Sequence, residues 1–330
     1  MVNKIDFVVT WVNGHDSEWQ NKKQHYLFTE DKKLNSDSRY RDWNIFKYWF
    51  RAVEEHAPWV NRVILITEGH LPDWLNVTYE KIFVVKHSDY IPEEWLPTFN
   101  SNVIELNIHR IEELSEHFVL FNDDMFINKS VVPEDFFEND LPKDVGVFSP
   151  QVPFRGGIAS ISLNNIEVIN DYFSTYQILK LYGKKFFRLF YGKHLIKNLV
   201  VLPWDKVLGF FDHHLPIAYK KSTFKKLWYI EEDTLTKTSK SRFRNKDNVN
   251  HWLMRYWQLA TGQFSPRTVK FGNYYDIFEE CDSVIEEIKK PKYSLICIND
   301  GENSSEFESI KEKIIFAFEQ RYPTKSQFEK

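Results

Sequence analysis

The sequence predicts an α/β protein built on a mostly parallel sheet, and three observations predict it. Short apolar runs of strand length recur at residues 5–11 (IDFVVTW), 63–67, 82–85 and 118–122 (FVLFN). Stretches with apolar residues at helical spacing, 41–56 and 102–114, lie between them. Strands that alternate with helices assemble as parallel sheets covered by those helices. The third observation is where the runs end: on Asn13 and Asp16, on Glu68 and Gly69, and on Asp123 and Asp124. Open sheets bind ligands beyond the carboxyl ends of their strands, so these polar groups should converge on one crevice.

Each element has its own warrant. The 5–11 run is closed by Asn13-Gly14, a turn pair, and reads as a buried strand. In 41–56, Ile45, Phe46, Trp49, Phe50 and Val53 mark one helical face, which Ala57-Pro58 stops. The small polar block 96–102 (LPTFNSN) precedes the next helix. It reads equally as a plain cap and as backbone amides offered to phosphate. Within 102–114, Glu105 and His109 stand at i and i+4, which places them on one face as a ligand pair or a surface pair.

The second half differs in character. Residues 165–265 are rich in aromatics and lysines with few strand signals, and read as a mainly helical insertion. Residues 237–246 read as a polar, basic, mobile loop, and 293–298 (YSLICI) as a last strand. After Asn299-Asp300-Gly301 comes an amphipathic helix at about 306–321. No repeat or low-complexity linker divides the chain, so residues 1–330 are expected to form one catalytic domain with a helical insertion.

Composition excludes several classes. The chain has 330 residues, 42% hydrophobic and 17% aromatic, enough for a large core. A net charge of -4 gives no nucleic-acid footprint. Cys281 and Cys297 form neither a disulfide framework nor a metal spacing, as suits a reducing cytosol. No apolar run approaches the ~20 residues of a membrane span. The first strand is expected to begin at once, so no signal peptide is expected. The expected location is cytoplasmic; if the acceptor is membrane-bound, the enzyme would reach it from the inner face of the cell membrane. Residues 180–197 mix Leu, Phe and Tyr with lysines and an arginine. They read as a solvated basic helix or as an interfacial one that makes peripheral membrane contact.

Three clusters carry chemistry. Adjacent carboxylates after a buried strand, Asp123-Asp124, can hold a hard divalent cation that screens a diphosphate; they equally suit a turn. His213-His214, before Leu215-Pro216, offers a general base toward a hydroxyl. Arg242 and Arg244 in the basic loop could fork onto phosphate oxygens or simply be solvated.

In order along the chain, these segments resemble the Stealth family. Its bacterial members make phosphate-linked capsules and exopolysaccharides, and its animal relative is the lysosomal N-acetylglucosamine-1-phosphotransferase. The resemblance rests on 5–16 (IDFVVTWVNGHD), on 41–124, which includes LPTFNSN and FVLFNDD, and on 211–222 with His214-Leu215-Pro216. It extends to 241–247, 297–300 (CIND) and 323–329 (PTKSQFE).

The resemblance implies a GT-A-like core and transfer of a hexose-1-phosphate from a nucleotide-diphospho-sugar donor to a hydroxyl of a glycan acceptor, free or lipid-linked. It implies catalytic roles for Asp124, His214 and Arg244, and a Mg2+ or Mn2+ held through Asp123, Asp124 and Asp300. Asn13, Asp16, Arg51, Asn102, His109, Arg110 and Asn299 would form the substrate site. A conventional metal-dependent glycosyltransferase would share these carboxylates but release a nucleoside diphosphate. A lectin-like binder would leave the Asp pair and the loop arginines unexplained.

Overall fold

A computed structural model of the chain describes residues 4–27, 41–153, 159–300 and 306–330. In chain order the first half contains β1 (Ile5–Thr10), α1 (Ser17–Tyr26), α2 (Phe46–His56), β2 (Arg62–Thr67), β3 (Ile82–Lys86), α3 (His87–Tyr90), α4 (Ser101–Leu106), β4 (His117–Phe121), β5 (Met125–Ile127), β6 (Phe137–Glu138) and β7 (Leu141–Asp144). The second half contains α5 (Ala159–Tyr172), α6 (Thr175–Phe186), α7 (Leu195–Val200), β8 (Ile217–Lys220), α8 (Lys221–Ile230), α9 (Glu232–Ser239), α10 (Trp252–Ala260), β9 (Ser265–Pro266), β10 (Gly272–Asp276), α11 (Ile277–Lys289), β11 (Leu295–Asn299) and α12 (Phe307–Arg321).

The main sheet has the order β3-β2-β1-β4-β8. Its β1–β2, β2–β3 and β1–β4 pairs are parallel, and β8 closes the edge antiparallel to β4. The chain is therefore mixed α/β, as the alternation of strand and helix signals requires. A second sheet, β10-β11-β5, begins where β4 stops, and a small ladder joins β6, β7 and β9. Strands buried on both faces cannot alternate polar with apolar residues, which is why the 5–11 and 118–122 runs are continuous. On one face Trp49 of α2 packs edge-on to Phe121, its centroid 5.4 Å away, and Phe7 stands 5.0 Å from the same ring. That core also takes Ile288 of α11 and Ile314 of α12. On the other face Phe118 and Tyr219 pack with Phe224 of α8, Tyr256 of α10 and Ile169 of α5.

Five segments differ from the sequence reading. Helix α2 starts at Phe46 rather than at residue 41. The predicted helix 102–114 stops at Leu106, because the Asn107 amide donates to the Val103 carbonyl at 2.9 Å and to Ser239 Oγ at 3.2 Å. Asparagine offers the backbone such an alternative partner and so ends helices. A separate 3-10 turn, Ile108–Arg110, follows, so Glu105 and His109 share no helical face. Residues 180–197 are not one helix: α6 ends at Phe186, Gly192 takes φ 56°, and α7 starts at Leu195. The stretch 165–265 is mostly helical, yet it supplies β8 to the main sheet. Residues 237–239 form the last turn of α9, and the loop after them is pinned: Asn100 Nδ2 donates to the Ser241 and Phe243 carbonyls, each at 3.1 Å. Cys281 and Cys297 are both free thiols. Among the described residues, no helix is long and apolar enough to cross a membrane.

Candidate active site

Residues 122–124 form the turn between β4 of the main sheet and β5 of the second, so Asp124 lies where the two sheets meet. The register of β5 on β11 sets Met125 opposite Cys297, and the Ile298 N–H donates to the Asp124 carbonyl at 2.8 Å. This brings the end of the chain onto Asp124. The Cys297 thiol donates to Asp124 Oδ2 at 3.6 Å, while Oδ1 is buried with no partner. Ligand atoms of Asp124, His214 and Cys297 all lie within 4.8 Å of one another. Burial raises the Asp124 carboxyl above its ordinary range, opposed by the facing His214. Burial, then the Asp124 charge, raises the Cys297 thiol well above its ordinary value, so it is a neutral donor here.

Asp123 follows the same pattern. Lost hydration, then the charges of Asp124 and Asp42, push its carboxyl up to about 7. More than a third of the residue still faces solvent, so counter-ions can relieve that crowding. An unpartnered carboxylate oxygen beside a second, crowded carboxylate is a donor set that suits a hard, oxygen-seeking cation. A protonated thiol is a poor ligand for such an ion. Asp300, just past β11, is already engaged: Trp43 Nε1 donates to Oδ2 at 3.1 Å, and Arg41 stands 3.6 Å from Oδ1. Asn299 ends β11 opposite Asp276, two residues along the ladder from Cys297 and Tyr274.

His214 is set by a buried ionic framework. Arg255 of α10 is fully buried and grips Asp144 through Nε at 2.7 Å and Nη2 at 2.9 Å. Its Nη1 reaches Asp212 at 3.2 Å, and the Tyr256 hydroxyl donates to the same carboxylate at 2.9 Å. Burial alone would raise the Asp144 carboxyl, but Arg255 and His213 hold it well below the usual range. His213 Nε2 lies 3.4 Å from Asp144, and burial pushes that imidazole down to about 4. With Asp212 and His213 fixed, His214 takes φ 49°, a conformation that persists only where its surroundings impose it. Its ring lies over Trp252 at 6.5 Å and edge-on to Tyr274 at 5.4 Å.

Arg244 arrives from a different part of the chain. Asn100 caps α4 and also bonds Asn248 at 2.9 Å, which ties the 96–102 block to the basic loop. Arg244 Nη2 consequently donates to Ser101 Oγ at 2.6 Å. Beneath it, burial pushes the Glu105 carboxyl up to about 7, against the pull of Arg244. Glu105 stands 3.6 Å from His251, whose ring lies 6.1 Å from Trp252. Trp252 thus neighbours both His214 and His251, at ring separations of 6.5 and 6.1 Å. Asn102 is buried in this cluster, and its Nδ2 has no partner.

The remaining expected residues lie elsewhere or have other duties. The Asn13 N–H donates to His70 Nε2 at 2.8 Å, and Asp16 caps α1 by accepting from the Trp19 N–H at 2.7 Å. Both follow β1, which pairs Val9 with Phe121, so they leave the sheet at the same edge as Asp124. Arg51 is engaged within the fold. It grips Glu329 through Nε at 2.7 Å and Nη2 at 2.6 Å, and gives Nη1 to the Tyr322 carbonyl. Its fork clamps the C-terminal segment to α2. Arg110 lies over Trp228 at 4.7 Å, and His109 packs 5.6 Å from the same ring. They belong to the packing of α8 against the 3-10 turn.

Burial pushes the His109 imidazole down to about 3. The unfolded chain therefore binds a proton below pH ~6.5 that the folded chain refuses, and this contribution to stability falls as pH falls. Relative to His109→Gln, the natural chain should lose on the order of 2 kcal/mol between pH 7 and pH 5. Urea unfolding of both proteins at the two pH values measures it; parallel changes would refute the assignment.

Sequence reading missed Cys297 as a neighbour of Asp124, and it missed Trp252, Tyr274, His251 and Arg255. None has a local signature, since strand register or helix packing alone brings each to the crevice. Glu105 was noticed, but with the wrong partner.

Comparison with known proteins follows the same blocks. Stealth protein CR1, conserved region 1, matches residues 3–30, and Stealth protein CR2, conserved region 2, matches residues 39–144. The capsular polysaccharide phosphotransferase WcwK of Streptococcus pneumoniae is 51% identical over 331 residues, covering 100% of this chain and 99% of the relative. The exopolysaccharide phosphotransferase cps2G of Lactiplantibacillus plantarum is 44% identical, covering 99% of this chain and 96% of the relative. Among solved structures, the galactosyltransferase LgtC in complex with donor and acceptor sugar analogues aligns with 94% of this chain and 95% of its own, at a TM-score of 0.39 and 8% identity.

Proposed function

The chain belongs to the Stealth family, and from that premise we propose that it is a hexose-1-phosphate transferase of capsule or exopolysaccharide synthesis. The donor is a nucleotide-diphospho-sugar and the acceptor a glycan hydroxyl. The whole of residues 1–330 acts as one catalytic unit, on acceptors presented at the cytoplasmic side of the membrane. One observation carries the reading: an unpartnered Asp124 oxygen and the His214 ring meet beyond the carboxyl end of β4, with ligand atoms of both residues within 4.8 Å of one another.

In this reading the acceptor oxygen attacks the β-phosphorus. The bond from that phosphorus to the bridging oxygen breaks, and the nucleoside monophosphate leaves. His214 takes the hydroxyl proton, and Asp124 beside it steadies the resulting imidazolium. Arg244 aims its donors at oxygens of the transferring phosphate, where charge is concentrated in the transition state. Asn102, with a free buried amide, orients the donor. A divalent cation, Mg2+ or Mn2+, would be held by Asp124 with Asp123, and Asp300 beside them, and would supply neutralisation of the diphosphate charge.

Product analysis tests the reaction. Phosphorus NMR of a turnover mixture should show a phosphodiester and a nucleoside monophosphate. A nucleoside diphosphate would instead mark a conventional glycosyltransferase, and no turnover with any nucleotide-sugar would favour a binding protein.

Arg244→Lys tests the phosphate contact. Lysine keeps the charge but not the planar fork, so kcat should fall at least ~10-fold with the nucleotide-sugar KM within ~2-fold. Wild-type turnover in the Lys variant would remove Arg244 from the reacting centre.

A further inference from the structure

Residues 175–206 carry seven Lys and Arg against a single acid, Asp205, in a chain of net charge -4. The same stretch exposes large apolar side chains: Leu189 is 91% exposed, Leu181 68%, Ile196 63% and Trp204 48%. Ile178, Phe186 and Tyr191 face inward and are buried, so the segment is already docked on the fold through its other side. Its apolar outer face is surplus to packing.

The segment is held together as one unit. Asn198 of α7 donates to the Phe186 carbonyl at the end of α6 at 2.6 Å, and the Tyr191 hydroxyl donates to the Lys185 carbonyl at 2.9 Å. At the other end, the Thr175 N–H donates to the Asp205 carbonyl at 2.7 Å. The chain from Phe187 to Trp204 therefore leaves one end of α6 and returns to the other, so the exposed Leu, Ile and Trp side chains belong to one packed unit. Lys180, Lys184, Arg188, Lys193 and Lys206 are exposed among them. A monomer rarely leaves so large an apolar surface uncovered without a partner for it.

We propose that this face seats on an anionic lipid surface. Leu189, Ile196 and Trp204 enter the headgroup boundary, and the surrounding Lys and Arg pair with lipid phosphates. The charge distribution decides against a second copy as the occupant. A two-fold interface through this face would set its strongly basic segment against itself, whereas an anionic bilayer complements it. The inference stands whether or not the reaction proposed above is correct.

Cosedimentation of the full chain with vesicles tests it. Vesicles of phosphatidylglycerol and phosphatidylcholine in equal parts should pellet the protein, pure phosphatidylcholine should not, and added salt should release it. Leu189→Glu with Ile196→Glu changes only exposed positions and should weaken partitioning at least ~10-fold. Lys184→Glu with Arg188→Glu and Lys193→Glu should do the same without touching apolar surface. Failure to pellet with anionic vesicles, or equal binding by all three proteins, overturns the proposal. A concentration-dependent dimer in solution that Leu189→Glu dissolves also overturns it, in favour of self-association.

Discussion

Asp124→Asn is expected to leave the fold intact and lower turnover at least ~100-fold, the scale set by losing one preorganised charge at a reacting centre. The amide matches the carboxylate in shape. The Ile298 N–H still finds the residue-124 carbonyl, and β5 still pairs with β11. What disappears is the negative charge at an oxygen that is buried without a partner. Two effects follow together: the hard-cation donor set loses its central ligand, and His214 loses the anion that faces it. Circular dichroism and thermal unfolding should match the natural chain, and the concentration of Mg2+ or Mn2+ giving half-maximal rate should rise. Full activity of the Asn variant, or of the natural chain in excess chelator, would refute the role.

How much of this was legible without coordinates depends on the range of the determinant. The strands that place Asp124 are continuous apolar runs, and the turn after them is written in adjacent residues, so period and composition sufficed. Glu105 and His109 show the opposite case. Their spacing promised one helical face, but Asn107 between them ends the helix through its own amide, and the two side chains part company. Arg51 was read as a site residue from its block alone, yet its carboxylate partner lies at Glu329, far beyond the reach of any local pattern. Cys297 is instructive in the same way. Cysteine spacing could not connect it to Asp124, because the link is antiparallel register between β5 and β11. Groups joined by neighbouring residues were readable, and groups joined by register or packing were not.

The adjacent histidines should separate cleanly. His214→Ala is expected to lower turnover on the order of 100-fold or more, the cost of losing a positioned acid-base group. His213→Ala should cost less than ~10-fold per folded molecule, and its main effect should be on stability. The structure gives the reason. His213 is buried against Asp144, in a framework that also holds Arg255 and Asp212, and burial keeps its imidazole neutral at working pH. A group so enclosed positions its neighbour and does not meet substrate. His214 is turned out by its left-handed backbone toward Asp124, between Trp252 and Tyr274. Alanine at 214 could also disturb that backbone, so His214→Asn serves as the second variant: asparagine tolerates the left-handed region and cannot relay a proton at neutral pH. Both 214 variants should keep the natural unfolding temperature while losing turnover, whereas the 213 variant should unfold earlier and retain most of its rate. Equal kinetic losses at 213 and 214, or a 214-Asn protein with natural turnover, would take the acid-base role away from His214.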